Sequence, residues 1–353
     1  MSRDMQSQIS AFLPKYLHQE EVVAQEFKDL IFSLPKENGW VASYLYKYQG
    51  FWHPVRHLQG IITCQRHFRA RDSDVILITT PKSGTTWLKA IVFTLMNRMQ
   101  YPIAQDHPLL SKNPHDLVPF LEQTLYVDNQ IPDLSSMNSP RLFATHIPFT
   151  SIPISIQNSR CKLVYLCRNP KDTFVSMWQF SNKLRPKEMG THSLGEVFDM
   201  FCRGVSIAGP FLDHVLDYWK ESRESPHKVL FLKYDDMKEN PTVNLRRIAE
   251  FLECPFSNEE EESGMVEEIL KLCSFGNLSN LEINRTGKLS SGEENKVFFR
   301  QGKVGDWKNH LTIEMVEKLD QITEQKVSAS GPSPPPPQGC PSGTLPPSIY
   351  LYV

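Results

Sequence analysis

The run Thr79-Thr-Pro-Lys82-Ser83-Gly84-Thr85-Thr86-Trp87 brings a lysine, a glycine and several hydroxyls within reach of one loop. That set suits an anion. A helix N-terminus offers free N–H groups and a positive dipole end, and glycine lets the backbone approach closely. The same residues would also make an ordinary capped turn with a solvated lysine. The order is not that of a Walker A loop, where the lysine follows the last glycine and precedes a Mg²⁺-holding Ser/Thr. Here Lys82 precedes Gly84 and the upstream glycine is missing, which disfavours metal-assisted phosphoryl transfer.

Two further segments carry anion-binding chemistry. Tyr165-Leu-Cys-Arg168-Asn-Pro-Lys-Asp-Thr-Phe-Val-Ser176 sets an arginine at the end of an apolar run, with a serine about two helical turns on. Arginine presents a fork that matches phosphate, although an arginine at a strand end also serves as a surface ion-pair partner. Phe298-Phe299-Arg300-Gln301-Gly302-Lys-Val-Gly305-Asp-Trp-Lys308 combines glycines and cations as a closing loop would, or as a basic linker would.

The elements that must position these groups are readable from hydrophobic period. Val75–Thr79, Arg141–Thr145, Lys162–Cys167 and Lys228–Lys233 are short continuous apolar runs, the signature of strands buried on both faces. Helical spacing begins at Thr85, at Pro170 (to Phe180), at Leu194 (to Trp219, broken near Gly209-Pro210), at Pro241 (to Leu252) and at Leu311 (to Gln325). Strands alternating with helices predict a single α/β domain, a central, mostly parallel sheet flanked by helices. The first 70 residues lack one dominant period, with an aromatic cluster at Tyr44–Pro54. Ser274–Trp307, Gly/Asn/Ser-rich and basic, reads as a long loop, functional or disordered.

Composition narrows the function classes. With 353 residues, 38 Lys+Arg against 40 Asp+Glu and a formal charge of −2, the chain has no basic excess to coat nucleic acid or an anionic membrane. The seven cysteines form no C-x-x-C pair, and neither a signal peptide nor a membrane-length apolar run is visible. A reduced, cytoplasmic protein is expected. Eight of the 26 prolines crowd into residues 331–353, predicting an extended or disordered tail over residues 328–353.

Taken in order, K-S-G-T-T-W, R-N-P-K-D…S and R-x-G-x-x-G-D-W-K resemble the cytosolic sulfotransferase family over roughly residues 60–325. Leu142-Phe-Ala-Thr-His-Ile-Pro148 and Phe298-Phe-Arg-Gln-Gly302 are similar to its plant branch. The resemblance implies a P-loop-like fold over residues 1–327, with 1–70 on the substrate side. It also implies PAPS (3′-phosphoadenosine 5′-phosphosulfate) as sulfonate donor, PAP (adenosine 3′,5′-bisphosphate) as product, and no metal. Lys82 to Trp87 (with Ser83, Gly84, Thr85 and Thr86) would be the 5′-phosphosulfate loop. Arg168, Ser176, Arg300, Gln301 and Gly302 would hold the 3′-phosphate, next to Phe299. Tyr234, Ser274 and Phe275 would lie at the adenine. His146 matches the general base, with Lys82 stabilising the leaving phosphate, and Phe120 and Phe180 match phenylalanines of the acceptor pocket.

The implied reaction is in-line transfer to a hydroxyl of a small, largely apolar metabolite such as a flavonol, a brassinosteroid or other steroid, or a hydroxyjasmonate. Lys308, Thr312, Ile313 and Glu317 resemble the family's dimer motif, implying a homodimer. Three residues depart from the pattern. Ala144 stands where animal members carry a lysine, so that charge is absent or supplied elsewhere; Gln301 replaces a lysine, and Cys273 a threonine. The competing readings are a catalytically impaired PAP- or PAPS-binding protein and a P-loop nucleotide kinase.

Overall fold

The computed structural model describes residues 23–330 except 24, 41, 103–105 and 186–189; the proline-rich tail from residue 331 and the first 22 residues lie outside that range. Seven strands form two sheets: β1 (Lys36–Asn38), β2 (Tyr44–Tyr48), β3 (Phe51–His53), β4 (Val75–Thr79), β5 (Leu142–Thr145), β6 (Lys162–Cys167) and β7 (Val229–Lys233). The central sheet has the order β5-β4-β6-β7, all pairs parallel. Its registers, Ile78 opposite Tyr165 and Tyr165 opposite Phe231 among them, align the strands' C-terminal ends.

Both faces of this sheet are covered, which is why its strands read as unbroken apolar runs. Ile76, Ile78, Leu163 and Tyr165 point into one core, with helices Val55–His67, Pro170–Leu184, Phe211–Glu224 and Ile313–Ala329. Leu77, Val164, Leu166 and Leu232 point into the other, with helices Thr85–Asn97, Pro241–Phe251 and Met265–Leu272. The chain leaves β4 toward β5 and leaves β6 toward β7, in opposite directions along the sheet. The crevice beyond the C-terminal ends of β4 and β6 is therefore a topological switch point, where open α/β sheets bind ligands.

The aromatic cluster at Tyr44–Pro54 is the hairpin β2-β3, whose Gln49-Gly50 turn takes positive φ at both residues. A ladder contact between Trp52 and Gly209 ties the hairpin to the body. Three boundaries differ from the sequence-based expectation. The Leu194–Trp219 span is two helices, Leu194–Cys202 and Phe211–Glu224, with the whole of 203–210 as connection. Ser274–Trp307 is not one loop: Ser274 caps helix Phe275–Asn280 by accepting from the Asn277 N–H, and helix Glu282–Thr286 follows. The last helix starts at Ile313, capped by Thr312, and runs to Ala329, past residue 327.

Candidate active site

The four parallel strands deliver their next residues to one place. Lys82 follows β4, His146 follows β5, Arg168 follows β6 and Tyr234 follows β7. All four line one cavity of about 470 Å³. On the same lining lie Gly84, Thr85, Thr86, Trp87, Ser176, Ser274, Phe275 and the stretch Phe299 to Gly302, together with Phe120 and Phe180. Ser83 is the exception within the loop, since its side chain is fully buried and its Oγ sits 2.6 Å from Thr80 Oγ1. Lys308, Thr312, Ile313 and Glu317 lie outside the cavity lining; Ile313 is 73% exposed at the helix start.

The loop has the form an anion needs. Lys82 adopts φ +68°, and Gly84, at φ +107°, caps helix Thr85–Asn97. A Cβ on Gly84 would meet the Tyr234 ring at 2.7 Å, so the position requires glycine on both counts. Tyr234 also meets the Trp87 ring edge-on at 5.4 Å and carries the Arg168 guanidinium 4.6 Å above its face. Lys82 reaches over the Phe180 ring at 4.0 Å. Burial, then the charges of Lys183, Arg300 and Arg168, push its pKa down to about 7. Four cations converge there; Arg168 and Arg300 face Asp172 and Asp306, whereas Lys82 has no carboxylate partner among the described residues.

Two guanidinium nitrogens confirm that this region is short of acceptors. Arg168 Nε and Arg300 Nε are buried without a hydrogen-bond partner. Buried donors are normally satisfied, so unpaired ones on two arginines that line the cavity fit a multiply charged anion bound there. The remaining arms are held: Arg168 Nη2 donates to the Lys303 carbonyl at 2.6 Å, and Arg300 pairs with Asp306. Asp172 accepts from the Gly305 and Trp307 N–H groups at 2.8 and 3.1 Å, fastening the glycine-rich closing loop to helix Pro170–Leu184. Gly302, at φ +62°, lets that loop run against the Phe275 ring, which a Cβ would meet at 2.5 Å.

His146 is fixed in one tautomer. Its Nδ1 lies 2.6 Å from the Thr79 carbonyl, an acceptor that can only be served by an N–H. Nε2 is then left with its lone pair. Burial pushes the His146 pKa down to about 3, against the opposing pull of the Thr79 carbonyl. The ring is therefore neutral near pH 7. Its backbone N–H donates to Glu122 Oε1 at 2.9 Å, and its ring lies 4.7 Å from that of Phe120.

Several groups of this site carry no motif. Glu122, fully buried, also accepts from Thr145 Oγ1 at 2.8 Å, and burial raises its pKa. His115 stacks on Phe120 at 5.6 Å and lies 4.5 Å from the Phe298 ring. Ala144 is buried in β5 and its backbone pairs with that of Phe120, whose ring lies 3.3 Å from Lys89 Nζ. Cys273 is buried beside Thr94 Oγ1 at 3.5 Å. One signal for Lys89 was in the sequence: it is the lone charged residue in the apolar helix Thr85–Asn97, three positions after Thr86.

Comparison with known proteins bears on this geometry. The family described as "Sulfotransferase domain" matches residues 72–331. Cytosolic sulfotransferase 12 of Arabidopsis thaliana is 52% identical over 324 residues, 91% of this chain and 98% of that protein. Cytosolic sulfotransferase 5 of the same plant is 51% identical, over 88% and 97%. A crystal structure of an Arabidopsis putative steroid sulphotransferase superposes with TM-score 0.70 at 44% identity, covering 90% of this chain and all of that one. The fold is shared at 24% identity by mouse sulfotransferase SULT7A1 complexed with PAP, with TM-score 0.63 over 80% and 94% of the two chains.

Proposed function

Since the chain belongs to the sulfotransferase domain family, and is a sulfotransferase of the plant cytosolic type, we propose that it moves the sulfonate group of PAPS to a hydroxyl of a small, largely apolar acceptor. PAPS supplies the activated sulfonate, and PAP leaves. The observation that carries the reading is the Nδ1 contact of His146 with the Thr79 carbonyl, beside the cluster of Lys82, Arg168 and Arg300. It supports a neutral imidazole whose Nε2 takes the hydroxyl proton.

Lys82 and the N–H groups that open helix Thr85–Asn97 stabilise negative charge on the departing phosphate side. Arg168, Ser176 and Arg300, with Gln301 and Gly302, hold the 3′-phosphate, which satisfies the two orphaned Nε atoms. Trp87, Tyr234, Ser274, Phe275 and Phe299 enclose the adenine. Phe120 and Phe180 flank the acceptor, where apolar walls with few polar groups suit flat hydroxylated metabolites such as flavonols, steroids or hydroxyjasmonate. The exposed Ile313, with Lys308, Thr312 and Glu317, supports a homodimer through this segment. Names of the relatives support a cytosolic site of action, and no helix among the described residues is long and apolar enough to cross a membrane.

The test is sulfonate transfer from labelled PAPS to a panel of flavonols, hydroxysteroids and hydroxyjasmonate, with a chelator present. His146→Ala is expected to lose roughly 10²- to 10⁴-fold in turnover while PAP binding persists. Near-normal turnover of that variant would remove His146 from its role. PAP binding without transfer to any acceptor would favour the impaired-enzyme reading.

A further inference from the structure

Behind the anion loop runs a chain of polar atoms that joins Thr86 of the loop motif to two residues outside every motif, His115 and Lys89. Thr86 and Lys89, three apart on one helix, both face His115, which follows the Asn113 cap of the short helix Pro114–Leu117. Lys89 Nζ is 3.1 Å from His115 Nδ1, and His115 Nε2 is 2.9 Å from Thr86 Oγ1. Lys89 is completely buried and outside the cavity lining, whereas Thr86 is on it.

The direction of this chain follows from the inventory of donors. Burial lowers the Lys89 pKa well below the usual lysine value, against the charges of Glu122 and Asp116; Nζ keeps hydrogens to donate in either form, and its 3.1 Å contact makes His115 Nδ1 the acceptor. The neutral ring then carries its proton on Nε2 and donates to Thr86 Oγ1. With its oxygen already accepting from His115, the Thr86 hydroxyl turns its own hydrogen toward the cavity. Stacking on Phe120 and contact with Phe298 keep the His115 ring in place, and Lys89 Nζ rests over the Phe120 ring.

We propose that Lys89 and His115 are positioning residues that polarise Thr86 as a hydrogen-bond donor to the 5′-phosphate side of the bound nucleotide. Lys89 thereby brings a lysine amine behind the site from the helix after β4 rather than from position 144 of β5. The proposal rests on the PAPS reading of the cavity and deepens it. A hydroxyl free to rotate can offer either its hydrogen or its lone pair; a hydroxyl locked as a donor stabilises an anion without reorganising when charge develops.

Titration calorimetry of the full chain with two probes tests this: PAP, and adenosine 3′-monophosphate, which lacks the 5′-phosphate. Wild type should bind both, PAP more tightly. Lys89→Met should weaken PAP about ten- to hundredfold, the range for a lost hydrogen bond to a charged group, and leave adenosine 3′-monophosphate nearly unchanged. Thr86→Val should weaken PAP similarly, and adding Lys89→Met to it should cost nothing more. His115→Phe keeps the ring stack and removes the relay, so it should reproduce the PAP-specific loss if Lys89→Met fails to fold. Equal weakening of both nucleotides, or additive losses in the double variant, would overturn the relay. Failure of wild type to bind either probe would instead overturn the cofactor reading beneath it.

Discussion

Lys82 shows how the site's electrostatics depend on what it holds. With its ammonium over the Phe180 ring and three cations nearby, its pKa sits near 7. A phosphate dianion at the loop would favour the charged form again, since an opposite charge within a few ångströms raises the pKa of a lysine. Binding of PAP at pH 8 should therefore draw a proton from buffer, approaching one per site, and the uptake should fade toward pH 6, where Lys82 is already charged. Calorimetry in Tris and in HEPES at pH 8 reads this directly, because the two buffers ionise with different enthalpies. Identical enthalpies in both, or a difference that survives Lys82→Met, would contradict it. The motif made Lys82 visible in the sequence, but not the neighbours that lower its pKa: Lys183 and Arg300 arrive from other elements. Glu122 and His115 were invisible for a related reason, being single polar residues in aperiodic stretches whose roles exist only once β5 and the helix after β4 lie beside them.

At the scale of elements, the central strands were legible because burial on both faces forces unbroken apolar runs, and the loops after them because glycine, proline and cations mark strand ends. The closing loop was less so. Beside the Arg168 contact with the Lys303 carbonyl, its hold on the body rests on one carboxylate, Asp172, that lies within a recognisable motif yet faces backbone N–H groups more than 130 residues away in sequence. Asp172 is fully buried, and each N–H left unpaired there costs about 1–3 kcal/mol. Asp172→Ala should therefore release the segment around Gly305 before it unfolds the sheet. The expected signs are accelerated hydrogen exchange at the Gly305 and Trp307 amides and a KM for PAPS raised at least tenfold, with a smaller change in kcat. Unchanged exchange at both amides would show that the Arg168 contact with the Lys303 carbonyl holds the loop without help. The limits of Ser274–Trp307 differ from the expectation for the converse reason: its helices, of six and five residues, are too short to establish a period, and a cap at Ser274 rather than apolar spacing opens the first.

Across the whole molecule, burial of neutral imidazoles links the site to the stability of the fold. His53, His57, His115, His146 and His214 are all buried, and burial is the first cause of each lowered pKa: to about 3 for His53 and His146, about 4 for His214, and well below the usual value for His57 and His115. They are coupled, since a proton on His53 would oppose one on His214 or His57, and a proton on His146 one on His57 or His115. A group whose pKa is depressed by folding contributes stability that is complete above its unfolded value, here near 6.5, and is lost as pH falls toward its folded value. Between pH 6.5 and 4 the unfolded chain gains protons that the native chain refuses, and each such histidine steepens the loss by up to about 1.4 kcal/mol per pH unit. Glu122 and Asp217, raised by burial, work in the opposite sense over the lower part of that window and offset part of the slope. Denaturant unfolding from pH 7 to 5 should show stability falling by several kcal/mol at nearly constant m-value, starting before most surface carboxylates titrate. His53 Nε2 has no hydrogen-bond partner, so His53→Phe should remove about one proton from the slope without stripping a neighbour of its bond. A stability flat over that range would mean that the histidine cluster opens and hydrates well before the sheet does. The neutrality required of His146 as a base would then have to come from its Thr79 contact and local dryness alone, rather than from the folded core around it.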